Sequence, residues 1–243
     1  SDCNNLNLSC PVAVDRNEDA TAAETLHYRN FSPLTQTWYL ILETGEPIMP
    51  HEMEDFTLDI WIGPCEKARH PGEVIVTEIH RNPINAPIQG AWFEIYNPMT
   101  TALNLEGVSI LGEGPEIFQV TTPTVVLPNG YLVFGANANF SENGYVETVA
   151  YEWGGGFSLD PTGADRIEIQ NDSGAILDIV EWDDTGNEWP QDPGLSMELC
   201  TGYFNEVEND EPANWHTGWT QWFSQAGSDF GTPGEENADN NCP

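Results

Sequence analysis

The sequence predicts an all-β protein whose larger part is a β-sandwich or a β-barrel. Its 18 prolines and 22 glycines recur every few residues and interrupt any long helical period. Between them, short runs alternate apolar and polar residues with the two-residue period of a strand. Turn signals such as Pro128-Asn129-Gly130 separate these runs, and this spacing is typical of sandwiches and barrels. The predicted strands cover residues 37–43, 56–62, 74–80, 91–96, 108–111, 116–121, 131–136, 166–170 and 176–181.

A change in the pattern near residues 66–72 divides the chain into two units. Charged and turn-forming residues there interrupt the strand pattern. We therefore predict a small β unit over residues 1–68 and a β-sandwich over residues 69–243. The first 65 residues offer only two clear strands, and a two-stranded hairpin is marginally stable on its own.

The composition indicates an acidic protein that does not bind nucleic acid. Forty acidic residues accompany six basic ones, which gives a formal charge of −34. No basic cluster is available to neutralise phosphates, so nucleic acid and anionic lipid are poor partners. Such a surface suits divalent cations, or hydration in a saline habitat. No window approaches the roughly 18 consecutive apolar residues of a transmembrane helix, so no membrane span is expected.

The five cysteines predict disulfides rather than a zinc site. Cys3, Cys10, Cys65, Cys200 and Cys242 form no C-x-x-C pair and lie near the ends of the chain and of its units. Together with the single lysine, they indicate an oxidising, extracytoplasmic compartment. The favoured pair is Cys200–Cys242, whose loop of some 40 residues would contribute roughly 3–4 kcal/mol. Cys65 is expected to pair with Cys10 or Cys3, which leaves one cysteine free or bonded outside the chain.

One loop has part of a calcium-binding pattern. Asp15, Asn17 and Asp19 have the spacing that opens an EF-hand-like loop, in which alternate residues present oxygen ligands to one hard cation. The glycine and the acid that such a loop needs further on are replaced by Ala20 and Leu26. The segment is therefore either a calcium site or an exposed acidic turn, and no cofactor is required.

No catalytic constellation is visible in the sequence. The chain lacks the H-E-x-x-H, G-x-S-x-G, Walker A and G-x-G-x-x-G motifs, and its five histidines are scattered. His216 stands near Asn209 and Asn214 in a predicted loop, and we interpret it as a hydrogen-bonding residue rather than as a metal ligand. We therefore predict that the protein is not an enzyme.

The run of apolar and aromatic residues around Glu94 predicts an inner strand with a buried carboxylate. Alternation places Trp92 and Glu94 on one face and Phe93 and Ile95 on the other, so both faces carry large apolar groups. A carboxylate among aromatic rings needs hydrogen-bond donors. For Glu94 we expect backbone N–H groups of a neighbouring loop, or the side chain of Asn97, and a structural role.

From Gly72 onward the chain resembles bacterial lamin-tail domains. The two opening strands of that family are matched by GEVIVTEIHRNP and GAWFEIYNP, and later strands by VLPNGYLVFG and ADRIEIQNDSGAILDIVEW. In the family's order there follow SMEL, NDEPANWHTG and GTPGEEN. The resemblance covers residues 72–237 and implies an immunoglobulin-like β-sandwich.

Residues 1–65 resemble the second half of the bacterial pre-peptidase C-terminal type of β-domain. The likeness rests on NFSPLTQTWYLILETG followed by EDFTLDIWIGPC. It implies a small, incomplete β-domain ahead of the sandwich. Its first strands would come from a removed segment, a non-covalent fragment or a neighbouring copy.

These observations favour a non-catalytic, exported bacterial protein at the cell surface or outside the cell. Its partner would be a protein, either a second copy in an extracellular assembly or an envelope component. The alternative is a module that binds carbohydrate or another surface polymer on a platform formed by Trp215, Trp219 and Trp222. The same tryptophans would otherwise pack the C-terminal segment onto the sandwich. A third possibility is the accessory C-terminal region of a larger secreted hydrolase.

Overall fold

A computed structural model of the chain describes residues 65–186, 188–223, 227, 229–239 and 242. In these residues the chain forms thirteen strands, four 3-10 turns and no α-helix. The strands are β1 (Cys65–Lys67), β2 (Ile75–His80), β3 (Trp92–Tyr96), β4 (Ala102–Asn104), β5 (Ser109–Leu111), β6 (Ile117–Gln119), β7 (Val125–Val126), β8 (Tyr131–Gly135), β9 (Val149–Glu152), β10 (Asp165–Gln170), β11 (Ile176–Trp182), β12 (Met197–Leu199) and β13 (Trp215–Thr217). The 3-10 turns are Gly154–Gly156, Thr201–Tyr203, Glu208–Asp210 and Pro212–Asn214.

The strands form three sheets. Six strands are ordered β13-β12-β2-β3-β8-β9, four are ordered β11-β10-β5-β6, and three are ordered β1-β4-β7. All neighbours are antiparallel except the pairs β8–β9 and β1–β4. This arrangement confirms the predicted all-β, immunoglobulin-like sandwich. Within the described ranges, no helix is long and apolar enough to cross a bilayer.

The core lies on the inner face of the six-stranded sheet. Phe93 of β3 stacks on Phe134 of β8, with ring centres 5.0 Å apart, and on Trp153 at 5.9 Å. Ile110 of β5 and Ile167 of β10 belong to the same buried cluster and come from the four-stranded sheet. Removal of these apolar side chains from water is the main force that holds the two sheets together.

The central strand β3 has the predicted two-faced character. It pairs with β2 on one side and β8 on the other, and Phe93 and Ile95 face the core. Trp92 faces the opposite side, where it packs with Val133, Val146 and Trp222 in a second cluster. An inner strand with both faces covered is therefore confirmed.

A C-terminal segment covers the outer face of the six-stranded sheet. We call residues 231–239 together with Cys242 the C-terminal clasp. The amide of Asn237 donates to the carbonyl oxygens of Thr77 and Leu199, both at 2.8 Å, and Cys242 is disulfide-bonded to Cys200. The clasp therefore converts an outer sheet face into an interior.

The predicted strands from residue 74 onward are all confirmed, with ends that differ by no more than two residues. The predicted strands at residues 37–43 and 56–62, and the small β unit that they would form, lie outside the described residues. The periodic pattern did not predict β1, β4, β7, β9, β12 or β13. One of these, β1, pairs with β4, so residues assigned to the first unit contribute a strand to the sandwich.

Candidate interaction site and buried carboxyl row

Three loops meet at the end of the six-stranded sheet where β2, β8 and β13 finish. We call residues 82–90, 137–146 and 218–223 the apolar loop end. The amide of Asn137 donates to the side-chain oxygen of Gln89 at 2.8 Å. The indole of Trp222 donates to the carbonyl oxygen of Gly144 at 3.2 Å. These contacts join the three loops into one surface.

The apolar loop end exposes large apolar side chains and carries almost no charge. Ile88 is 78% exposed, Trp219 56% and Ile84 47%. Glu142 is the one charged residue in the three loops, although 19% of the chain is charged. Exposed apolar side chains grouped on a charged protein are the composition that contact surfaces commonly have.

Three half-buried aromatic rings support this surface from the side. Phe140, Tyr145 and Phe223 contact one another pairwise, with ring centres 5.2 to 5.4 Å apart. Two of them come from the loop 137–146 and the third from the segment 218–223. The aromatic packing of this cluster adds to the Trp222–Gly144 hydrogen bond in holding these two loops together.

Backbone strain is concentrated in the same place. Ile88 has φ +76° and Tyr145 has φ +67°, in the left-handed region that side chains disfavour. Among the described residues the only other non-glycine with positive φ is Asn129, and asparagine accepts this conformation readily. Strain at residues that are held by their surroundings is typical of functional loops.

The floor beneath the apolar loop end is rigid. Trp222 packs edge-on against His80 at 5.4 Å and Trp92 at 5.9 Å. Asp229 accepts the backbone N–H groups of Ile84 at 2.7 Å and Asn85 at 3.0 Å. Burial lowers the pKa of His80 to about 4, so its ring is neutral at physiological pH.

A row of buried carboxyl groups crosses the outer face of the six-stranded sheet. Glu198 of β12 pairs directly with Glu78 of β2, which pairs with Glu94 of β3. His216 of β13 stands opposite Glu198 and extends the row. We call these four residues the carboxyl row. All three glutamates are fully buried under the C-terminal clasp.

The clasp supplies donors to two members of the carboxyl row. Glu78 accepts the backbone N–H and the hydroxyl of Thr232, each at 2.9 Å. Glu94 accepts the hydroxyl of Thr77 at 2.8 Å and the N–H of Gly234 at 2.7 Å. A loop N–H is therefore a partner of Glu94, as predicted, whereas Asn97 is not.

The side chain of Asn97 organises a turn instead. Its amide donates to the carbonyl oxygens of Thr101, Val126 and Leu127, and its oxygen accepts the N–H of Met99.

Burial holds protons on the carboxyl row. It raises the pKa of Glu78 to about 7. Burial, and then the neighbouring Glu78 carboxyl, raises the pKa of Glu198 to about 9 and that of Glu94 well above its ordinary value. Three adjacent carboxylates cannot all ionise in a dry interior. At neutral pH the three glutamates of the row therefore hold their protons to a much greater extent than exposed glutamates do.

The carboxyl row leaves no space for a side chain at Gly231. A β-carbon there would lie 2.4 Å from a carboxyl oxygen of Glu78 and 2.8 Å from the hydroxyl of Ser196. Only glycine allows the clasp backbone to approach the carboxyls so closely. The clasp and the row therefore fit each other as one structural unit.

Sequence reasoning found Glu94 but missed Glu78 and Glu198. In each case a glutamate precedes Ile or Leu in the middle of a strand, in the pairs Glu78-Ile79, Glu94-Ile95 and Glu198-Leu199. This shared sequence pattern could have indicated that Glu78 and Glu198 are buried like Glu94. The apolar loop end was also missed, and its signal was the lack of charge in three loops of an otherwise acidic chain.

The predicted carbohydrate platform is not formed. Trp215 is buried against Trp189, at 5.9 Å between ring centres, and its indole donates to the carbonyl oxygen of Asn209. Trp222 is half-buried against His80 and Trp92, and Trp219 alone of the three is exposed. The alternative interpretation, that these tryptophans pack the C-terminal segment, fits Trp215 and Trp222.

Other predicted sites fall partly outside the described residues. The calcium pattern at Asp15, Asn17 and Asp19 lies there, and so do Cys10 and Cys3, the two alternative predicted partners of Cys65. The structure joins Cys200 to Cys242, with Cα atoms 5.7 Å apart, which is the pair that the sequence favours.

An acidic cleft lies beside the start of β10 and the end of β11. It is lined by Asp165, Glu181, Trp182 and Trp189, among others. Both oxygens of Asp165 accept backbone N–H groups, from Glu113, Asp160 and Arg166. Asp165 therefore organises the loops that border this cleft.

The comparisons with known proteins agree with this architecture. Residues 67–184 match the family model of the lamin tail domain. No curated protein matches the chain. The match covers β2 to β11, which include the core and two of the three loops of the apolar loop end. Residues 67–184 are therefore similar to a lamin tail domain.

Proposed function

We propose that this protein is a non-catalytic interaction protein, exported to the cell surface or beyond, whose lamin tail domain binds a second copy of the chain through the apolar loop end. The observation that carries the proposal is the pairing of exposed apolar side chains with backbone strain at Ile88. Strain that does not serve packing is retained where a side chain must be presented.

Charge supports a second copy as the partner. Two chains that each carry a formal charge of −34 repel each other over most of their surfaces. The three loops of the apolar loop end contain one charged residue, Glu142, so two copies can approach there with little repulsion. Burial of Ile84, Ile88 and Trp219 against their equivalents would then drive association.

Export is supported by the cysteines and the basic residues. A disulfide persists in oxidising compartments, and the chain has a single lysine. An exported, strongly acidic protein that associates through one uncharged surface fits a role in an extracellular assembly.

The test is sedimentation of the full chain over a wide concentration range, with and without calcium. We expect a reversible dimer that the substitution Ile88→Asp weakens by at least about tenfold, the effect of 1.4 kcal/mol. Val207→Asp is the matched control, because Val207 is 64% exposed but lies outside the apolar loop end. A strictly monomeric chain, or equal effects of the two substitutions, would contradict the proposal. Polysaccharide binding by a monomer would instead favour the surface-polymer alternative.

A further inference from the structure

A second set of side chains converges where the C-terminal clasp joins β12 and β13. The set contains Cys200, which follows β12, His216 of β13, and Asp239 and Cys242 of the clasp. One ligand atom from each residue, either sulfur, imidazole nitrogen or carboxylate oxygen, lies within 4.8 Å of the other three. Cys200 and His216 are buried. The four ligand atoms therefore converge at one point. They come from β13, from the residue that follows β12 and from the clasp.

His216 has the orientation of a metal ligand. Its Nδ1 lies 3.0 Å from the carbonyl oxygen of Thr217. A carbonyl only accepts, so in the neutral ring Nδ1 carries the hydrogen and Nε2 carries a lone pair. Histidines that bind metals are fixed in this way, by a backbone acceptor at the other nitrogen.

The lone pair on Nε2 accepts no hydrogen bond from the described residues. Only 6% of the His216 side chain is exposed, and Nε2 has no hydrogen-bond partner among the described residues. The nearest ionisable group is Glu198, whose carboxyl oxygen lies 3.8 Å away, beyond hydrogen-bond distance. A buried acceptor without a donor is unfavourable, and a bound cation would use its lone pair.

We infer that Cys200, His216, Asp239 and Cys242 form a metal site of the zinc class when their disulfide is reduced. Two thiolates, an imidazole and a carboxylate are a tetrahedral donor set for Zn²⁺ and its analogues Co²⁺ and Cd²⁺. The disulfide and the metal are two alternative ways to hold the clasp on the sheet. The first suits an oxidising compartment and the second a reducing one.

Conversion of the disulfide form into the metal form needs only a dithiol reductant and the metal ion. A dithiol reductant donates two electrons and two protons, becomes a disulfide itself, and breaks the sulfur–sulfur bond between Cys200 and Cys242. The metal ion then displaces the two thiol protons and binds the thiolates. His216 enters with its neutral Nε2 and Asp239 with its carboxylate.

Cobalt titration of the full chain tests the inference. The protein is reduced with a dithiol, freed of reductant under argon and titrated with Co²⁺. We expect a thiolate-to-cobalt charge-transfer band and the visible bands of tetrahedral Co²⁺, both absent from the oxidised protein. His216→Gln and Asp239→Asn should each weaken binding at least about tenfold. His70→Gln is the matched control, because His70 is an exposed histidine outside the site.

Two further measurements separate this site from the other cysteines and from folding defects. The variant with Cys200→Ser and Cys242→Ser should bind one Co²⁺ fewer than the reduced wild type. Zn²⁺ should raise the Tm of the reduced wild type, but not of the oxidised protein. Equal binding by the wild type and the double variant, unchanged spectra in His216→Gln, or no effect of Zn²⁺ on Tm would each overturn the inference.

Discussion

Ile88 holds a backbone angle that its side chain disfavours, at the most exposed large apolar position in the described residues. A left-handed conformation costs an ordinary residue roughly 1–2 kcal/mol. Burial of the side chain does not offset this energetic cost, because the side chain projects into solvent. At the residue scale, Ile88 is therefore destabilising for the fold, and we attribute its presence to contact with a partner.

Replacement of Ile88 by glycine should raise stability. Glycine accepts φ +76° freely, and the gain exceeds its entropic cost of about 0.5–1 kcal/mol. We expect the Tm of Ile88→Gly to rise by about 2–4 °C, which corresponds to 1 kcal/mol for a chain of this size. In the matched control Val207→Gly, the native φ is −111°, so only the entropic cost applies and the Tm should fall. Equal decreases in both variants, measured by calorimetry, would show that Ile88 is unstrained.

At the scale of elements, the apolar–polar alternation and the length of each strand decided which strands the sequence could predict. Strands β3 and β11 have five and seven residues and show a complete alternation, so they were found. Strands β4 and β12 have three residues each and are buried throughout, so they carry no period. Their positions depend on partners that are distant in the chain, and only the resemblance to a known family pointed to β12.

The carboxyl row depends on register, which local sequence does not reveal. The alternation around Glu94 was enough to predict a buried carboxylate, because both its neighbours are apolar. That Glu78 and Glu198 stand directly beside it follows from pairings of β2 with β3 and with β12. The same holds for the apolar loop end, whose three loops are separated in sequence and meet only in the folded sheet.

The carboxyl row predicts that stability declines at alkaline pH. Its pKa values are raised above the ordinary 4.5, to about 7 for Glu78 and about 9 for Glu198, so the folded chain holds protons that the unfolded chain releases. Their contribution is complete below pH 4.5 and is lost as the pH rises through 7 to 9. The buried Asp178, with a pKa of about 8, acts in the same direction. We expect a clear decrease in Tm between pH 6 and pH 9.

His80 adds the opposite dependence on the acid side. Its lowered pKa of about 4 means that stability is lost as the pH falls from 6.5 towards 4.

The substitution Glu198→Gln should reduce the decrease in Tm at alkaline pH, because an amide imitates the protonated acid at every pH. Glu147→Gln removes one exposed charge and should leave the decrease intact. A wild-type Tm that is constant or rises from pH 6 to pH 9 would contradict this account of the row.

At the scale of the whole molecule, charge is kept out of two regions. The carboxyl row is neutralised by retained protons beneath the clasp, and the apolar loop end has a single carboxylate in three loops. The rest of the sequence carries nearly all of the formal charge of −34. Among the described residues, repulsion between two copies is therefore weakest at the apolar loop end, where the proposed contact lies.

The closure of the molecule depends on the Cys200–Cys242 disulfide, which spans 42 residues and secures the clasp over the carboxyl row. Loss of a crosslink with a loop of that length removes about 4 kcal/mol from the free energy of unfolding. The variant with Cys200→Ser and Cys242→Ser should therefore have a Tm roughly 8–16 °C below that of the oxidised wild type. Either single substitution should lose nearly as much, because the bond needs both sulfurs. Calorimetry without reductant or added metal checks this, and additive losses from the two single variants would show that the cysteines stabilise the fold separately.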